Sequence, residues 1–419
     1  LVLLSVVTYL LNNTMLGSPW AMEVPVAPDE AAPGLKTAIP VSDILGLIAV
    51  SVNASIDRFD AVQAQAQLNY KLERTYPDVY EYRLRQIHRE FFDTDDAILS
   101  TMLGHLSRLP GRAEPIAKNI FMTGAEERDG IPEECESWTR LNPDWKPRYL
   151  SDPQIEDWLK IAFPRTDKGQ AGVIREMKAL RGKRGIIRSD LFRWVPDSRS
   201  GSLTRRYLAL LLEGGVYSDT DTTCIRPIAD WGRDPDVRYA HPVEALLPEL
   251  LRTASPISDS HPDTIATSAP SLVVAVEMDA WGTDWDWRGY KFVRGIQIVQ
   301  WTIMGSKGHP VFLDVLGQAL RQAKAIRETE ERGDTVTEPR VLDWSGPGAF
   351  SDALLRYLLV RQGVHPTDLA GMNKPRRYGD VMILPMHAFR AEASDQDKGD
   401  GRVVFHGFYG RWKGEEDWA

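Results

Sequence analysis

Hydrophobic positions along this chain change their spacing several times, and the changes mark its parts. The opening run, Leu1 to Leu11, is apolar throughout but too short to cross a bilayer, which takes about 20 residues. Because the chain starts on Leu rather than Met, the run is expected to be the C-terminal half of an N-terminal membrane anchor or signal segment whose beginning is missing. Residues 12 to 40 are rich in Pro, Ala and Gly without periodicity, as in a linker, and Ile44 to Val52 is a second short apolar run. From Asp57 to about Leu109 the pattern turns helical: Leu68, Leu72, Tyr76 and Tyr80 fall four apart, interrupted at Pro77. Residues 12 to 110 therefore read as a partly helical stem.

Past Pro110 short apolar runs alternate with amphipathic ones. Strands are predicted at 117–123, after the Asn142-Pro143 turn, at 216–219, at 272–277, at 381–385 and at 403–406. Helices are predicted at 154–163, from a Ser189-Asp190 start, at 207–212, at 295–304 and at 311–327. The 207–212 helix stops at Gly214-Gly215, a left-handed end signal. Strands interleaved with helices imply an α/β sheet covered on both faces, with ligands beyond the strand C-termini.

Composition adds few constraints. The 419 residues, 43% hydrophobic and 26% charged, suit a globular body, and a net charge of −9 with pI near 5.5 excludes a basic nucleic-acid footprint. Thirteen Trp supply flat surfaces for sugars or bases as well as for packing. Cys135 and Cys224 suit one disulfide or two free thiols. Asn12 and Asn53 sit in glycosylation acceptor triplets. Neither G-x-G-x-x-G nor a Walker loop occurs, so the usual dinucleotide and P-loop readings fail.

The candidate chemistry sits in Gly214-Gly-Val-Tyr-Ser-Asp-Thr-Asp221. In an extended segment Asp219 and Asp221 share one face. Two hard oxygen ligands beside a glycine-relieved turn suit a divalent cation with open positions for phosphate oxygens, and such a site can clamp a departing diphosphate.

Ile186-Ile-Arg-Ser-Asp-Leu-Phe-Arg193 followed by Tyr207-Leu-Ala-Leu-Leu-Leu-Glu-Gly-Gly-Val-Tyr-Ser-Asp-Thr-Asp-Thr222 resembles the core of the D-x-D glycosyltransferases of family 32. Within them it is similar to the fungal initiation-specific α-1,6-mannosyltransferases. Lys118-Asn-Ile-Phe, Ser137-Trp, Asn142-Pro-Asp-Trp145, Arg294-Gly-Ile-Gln-Ile-Val-Gln-Trp-Thr302, Gly308-His-Pro310, Ser345-Gly-Pro-Gly-Ala-Phe350 and the late His406, Gly410 and Trp412 extend the resemblance over roughly 115–413. It implies a GT-A fold over 111–419, a Rossmann-like mixed sheet flanked by helices. It also implies GDP-mannose as donor, Mn²⁺ or another divalent cation, and retention of the α configuration. The acceptor implied is an N-linked oligomannose, extended through an α-1,6 linkage in the Golgi. With the expected anchor this makes a single-pass type II membrane protein with a luminal catalytic domain, and a Golgi mannosyltransferase complex is a candidate partner. A mannosyltransferase for inositol-phosphoceramide and a non-catalytic glycan-binding relative are the alternatives.

The resemblance implies that Asp219 and Asp221 bind the metal and diphosphate, with His406 completing the metal site. Asp190 and Arg193, three apart on one helical turn, are implied to grip donor-sugar hydroxyls, though a surface ion pair has the same spacing. Tyr217 is expected to line that pocket or pack in the core, and Trp138 to stack on the nucleobase or pack in the core. Ser345 to Gly348 suits a loop that approaches a ligand, or a plain turn. Asp279, Asp284 and Asp286, interleaved with Trp281, Trp285 and Trp287, suit an acceptor rim or a solvated loop. One departure stands out. The family runs from Arg193 straight into the helix ending at Gly-Gly, whereas here residues 194–206 intervene, with Pro196, Gly201 and three serines. The expectation is that this insert is translated intron, which a mature transcript still encoding it would refute.

Overall fold

Both faces of the central sheet are buried, and the strands show it by strict alternation. The computed structural model describes residues 77–92, 96–107, 115–124, 132–164, 171–179, 203–238, 269–281, 283–336, 340–389 and 401–407. Its strands are β1 (Asn119–Gly124), β2 (Lys146–Ser151), β3 (Gly215–Ser218), β4 (Thr222–Cys224), β5 (Asp236–Arg238), β6 (Leu272–Asp279), β7 (Ile296–Ile298), β8 (Thr302–Gly305), β9 (Arg376–Tyr378), β10 (Val381–Leu384) and β11 (Val404–His406). Phe121, Tyr217, Leu272, Val274, Val276, Ile303, Val381 and Ile383 enter one core cluster. Their alternates Ile120, Met122, Val216, Val273, Ala275, Met304, Met382 and Leu384 enter the other. Period-two side chains with apolar residues at both phases are what a doubly covered sheet requires.

The main sheet runs β2-β1-β3-β8-β6-β10-β9-β5, with β7 paired to β6. β1 is parallel to β2 and to β3, β8 is antiparallel to both β3 and β6, and β6 is parallel to β10. β1, β2, β3, β6 and β10 therefore point the same way and end at one edge. β11 and β4 form a separate antiparallel pair at the end of β3. The architecture is mixed α/β, as the alternation of elements implies.

Helices flank the sheet, most of them over the first core. They are α1 (Pro77–Phe91), α2 (Asp96–Ser107), α3 (Glu136–Leu141), α4 (Asp152–Ala162), α5 (Gly172–Ala179), α6 (Leu203–Leu212), α7 (Pro310–Glu331), α8 (Val341–Trp344) and α9 (Pro347–Gln362). Pro77 stands at the first described position of α1, where its missing N–H costs nothing. α1 and α2 fall within the expected stem, yet Tyr80, Leu84, Ile87, Phe91, Ile98 and Met102 are buried in the main core. Gly317 on α7 leaves room for α1: a Cβ there would stand 2.5 Å from Ile87 Cδ1. Both helices thus pack into the same core as the sheet. The expected anchor at 1–11, the acceptor triplets at Asn12 and Asn53 and the linker at 12–40 lie outside the described residues.

One predicted helix is corrected. Residues 295–304 form β7 and β8, because Ile296, Ile298, Val299 and Ile303 are β-branched and all bury against strand neighbours. Arg294 anchors the start of β7 through paired bonds of 2.8 and 2.7 Å to Asp352 on α9, and a third of 2.6 Å to Asp343. Ser345 to Gly348 resolves as the start of α9, with Pro347 in its first turn. A Cβ on Gly348 would meet Leu342 O at 2.9 Å, so the close approach there is to protein backbone.

Candidate active site

The acidic doublet occupies a turn at the C-terminal end of β3. Gly214 and Gly215 deliver the chain into that strand with φ of 69° and 131°, values that only glycine adopts without strain. A Cβ on Gly215 would also stand 2.5 Å from Asn119 O on β1. Asp219 N–H then donates to Trp301 O at 2.9 Å, the last rung against the segment leading into β8. Thr222 Oγ1 donates back to Asp219 O at 2.6 Å, which closes the Asp-Thr-Asp turn.

Strand β11 supplies the third group. Its pairing sets His406 opposite Thr222, and Gly407 N–H donates to Asp221 O at 2.8 Å. His406 Nε2 comes to 3.1 Å from Asp221 Oδ1. One ligand atom each from Asp219, Asp221 and His406 lies within 4.8 Å of the others. Two carboxylate oxygens and an imidazole nitrogen at that spread fit a divalent cation such as Mn²⁺. The side chains of Asp219 and Asp221 are 21% and 18% exposed, so the cluster opens to solvent where a ligand can enter.

Further side chains fix these three. Tyr217 O–H donates to Asp219 Oδ1 at 2.8 Å, and Arg206 Nη2 donates to the same oxygen at 3.1 Å. Arg206 is fully buried, lies over the Tyr217 ring at 4.7 Å and also donates to Gln300 O. A planar guanidinium can stack and fork at once, and a lysine cannot. On the far side Trp301 stacks on His406 with ring centroids 4.4 Å apart. Trp301 Nε1 donates to Glu277 Oε1 at 3.3 Å, and Gln297 Nε2 holds Glu277 Oε2 at 2.7 Å.

Asp219, Asp221 and His406, the three expected at the metal, lie beside one another. Tyr217 and Trp138 are corrected. Tyr217 is buried beneath Arg206, so it supports Asp219 and does not line a sugar pocket. Trp138 is also fully buried, edge-on to Trp231 at 5.9 Å, with its Nε1 donating to Thr222 Oγ1 at 3.2 Å; no ring face is left for a base. Cys135 and Cys224 are free and buried. Asp190, Arg193, Gly410 and Trp412 lie outside the described residues.

Arg206 is the residue the motif reading missed. It was counted as the last residue of the 194–206 insert, yet α6 begins at Leu203 and Arg206 points into the site. The signal was present: Arg206 directly precedes Tyr207, and excision of 194–206 would set Arg193 in that same position. Either version of the chain places an arginine directly before Tyr207, on the way to the doublet. Trp301 lies in the Arg294 to Thr302 motif, but nothing in the sequence linked it or Glu277 to His406, because that link crosses strands distant in sequence.

Comparison with known proteins agrees with the geometry. Residues 131–238 match the family model described as a glycosyltransferase sugar-binding region containing DXD motif. The chain is 25% identical over 336 residues to an initiation-specific α-1,6-mannosyltransferase of Candida albicans, covering 72% of this chain and 73% of that one. It is 27% identical over 304 residues to the enzyme of the same name from Schizosaccharomyces pombe, covering 71% and 64%. Among solved structures it overlaps the PaToxG glycosyltransferase with a TM-score of 0.32 at 15% identity, covering 67% of this chain and 80% of that one, a likeness too slight to argue from. The chain is therefore similar, across its site-bearing region and well beyond it, to the DXD-motif glycosyltransferases and in particular to initiation-specific α-1,6-mannosyltransferases.

Proposed function

We propose that this protein is a metal-dependent, retaining glycosyltransferase that moves mannose from GDP-mannose to an N-linked oligomannose, forming an α-1,6 linkage. The observation that carries the reading is the convergence of Asp219, Asp221 and His406 at the sheet edge, within a chain whose relatives are α-1,6-mannosyltransferases by name. These three side chains would hold the cation, which when bound offsets the negative charge that grows on the departing diphosphate. Arg206 and Tyr217 keep the Asp219 carboxylate in one rotamer, so little reorganisation is left for the reaction itself. Trp301 and Glu277 orient the His406 ring in the same way from the other side. A retaining transfer in which the acceptor enters on the face the diphosphate leaves needs no protein nucleophile, and we assign none.

The setting proposed is the Golgi lumen, reached through an N-terminal anchor in a type II orientation. No helix among the described residues is long and apolar enough to cross a membrane. The test is incubation of the full chain with a nucleotide-sugar panel and with oligomannose or inositol-phosphoceramide acceptors. Transfer from GDP-mannose to oligomannose that needs Mn²⁺, stops with EDTA and falls about a hundredfold or more in Asp221→Ala is the expected result. Transfer that survives Asp221→Ala moves the chemistry elsewhere, and preference for the lipid acceptor replaces the glycan.

A further inference from the structure

The loop after β6 leaves the sheet at the edge that carries the doublet, because β3 and β6 run the same way on either side of β8. Asp279, at the loop's start, ends β6 on that side, two strands across from β3 and its doublet. On this loop Trp285 and Tyr290 stack on each other with ring centroids 4.9 Å apart and planes 26° from parallel. Both stay in solvent, at 38% and 66% exposure, and the other large exposed hydrophobics among the described residues, Val79, Tyr82 and Ile161, lie elsewhere in the chain.

We propose that Trp285 and Tyr290 form a platform for the sugar rings of the acceptor oligosaccharide; this rests on the transferase reading above. A pyranose presents an apolar C–H face and a rim of hydroxyls. A solvent-facing aromatic pair matches the first, and exposed Asp284 beside it accepts from the second. Asp284 and Asp286 are balanced by Arg288 and Lys291, so the loop carries no net charge and suits a neutral glycan.

The platform is built before any ligand arrives. Tyr290 N–H donates to Asp286 O at 3.3 Å, Lys291 N–H to Arg288 O at 2.9 Å and Phe292 N–H to Trp287 O at 3.1 Å. Lys291 turns the chain with a φ of 66°. Asp279 fastens the loop's base by accepting from Gly371 N–H at 2.6 Å, so it anchors the rim and is not part of its surface. The other two tryptophans of the segment are used inside. Trp287 is 7% exposed with the Arg288 guanidinium 4.0 Å over its ring, and Trp281 packs against the main core.

The experiment uses the full chain with Trp285→Ala and, because its side chain is mostly in solvent, Tyr290→Ala as the variant that keeps the fold. Two readouts are taken: acceptor KM against donor KM, and calorimetric titration of an α-linked oligomannose without donor. Each variant is expected to raise acceptor KM and the titrated Kd about tenfold, the scale of one lost sugar-sized stacking contact, while donor KM moves less than twofold. Trp285→Phe is expected to recover most of the loss. Acceptor KM and glycan Kd within twofold of the unsubstituted protein in both variants would overturn the proposal. If the unsubstituted chain neither hydrolyses nor transfers from GDP-mannose, the transferase reading fails, and the titration still decides the platform: weakened binding in Tyr290→Ala upholds it, and absent or unchanged binding sinks it.

Discussion

Replacing Arg206 tests whether the site depends on a residue that its motif does not contain. The guanidinium is fully buried, and its contacts include Asp219 Oδ1 at 3.1 Å, Gln300 O, and the Tyr217 ring at 4.7 Å. Breaking a buried ion pair by removing one partner costs about 3–5 kcal/mol. Asp219 is 21% exposed, so water takes over part of the lost solvation and the lower end applies, about 3 kcal/mol for Arg206→Ala. Arg206→Lys keeps the charge near Asp219 but cannot also hold the Gln300 carbonyl or stack on Tyr217, so about half the loss is expected, roughly 1.5 kcal/mol. With about 2.1 cal/mol/K of unfolding entropy per residue over 419 residues, the alanine variant should melt roughly 3–4 °C below the unsubstituted protein. Denaturant titration of both variants, with Asp219→Asn and the double variants, isolates the pairwise part by a thermodynamic cycle, where we expect about 1.5 kcal/mol of coupling. Arg206→Ala within 0.5 kcal/mol of the parent, or additivity with Asp219→Asn, would refute the reasoning (both thresholds follow from the scatter of about 0.5 kcal/mol in such cycles).

Other expectations follow from the same geometry. His406→Ala should weaken Mn²⁺ binding, measured by calorimetry, by about 10–100-fold, and Glu277→Gln by less, since Glu277 reaches His406 through Trp301; equal effects would break that chain. Gly317→Val should cost about 1–3 kcal/mol in thermal stability, because its Cβ alone would stand 2.5 Å from Ile87; a silent substitution would mean that α1 does not pack on α7. Burial pushes the Cys224 thiol up to about 12, while an unfolded cysteine titrates near 8.5. Between those values the unfolded chain loses a proton that the folded chain keeps, so stability falls as pH rises, by about 1.4 kcal/mol per unit at most. Alkylation at pH 8 should accordingly leave Cys135 and Cys224 unlabelled until denaturant is added, and rapid native labelling would contradict their burial.

What could be read without coordinates was whatever the chain encodes locally. The unbroken apolar runs at 120–122, 216–217, 272–276 and 381–384 pointed to strands buried on both sides, and Gly214-Gly215 to where the helix ends and β3 begins. The two-residue spacing of Asp219 and Asp221 pointed to a cation site, and motif order added His406. The errors arose where local pattern and tertiary context disagree. Residues 295–304 have an apolar run that suits either period, and only pairing with β6 and β3 makes them strands. The burial of α1 was not legible because it packs against α7, more than 200 positions later in the chain. Trp138 and Tyr217 carry side chains equally suited to a ligand face or an interior, and burial assigned both to the interior. Arg206, Trp301 and Glu277 reach the site through strand neighbours and helix packing, contacts that sequence spacing does not encode. The doublet's ability to hold a cation is thus written in the chain, but the rigidity with which it would be held comes from side chains that only the folded sheet brings beside it.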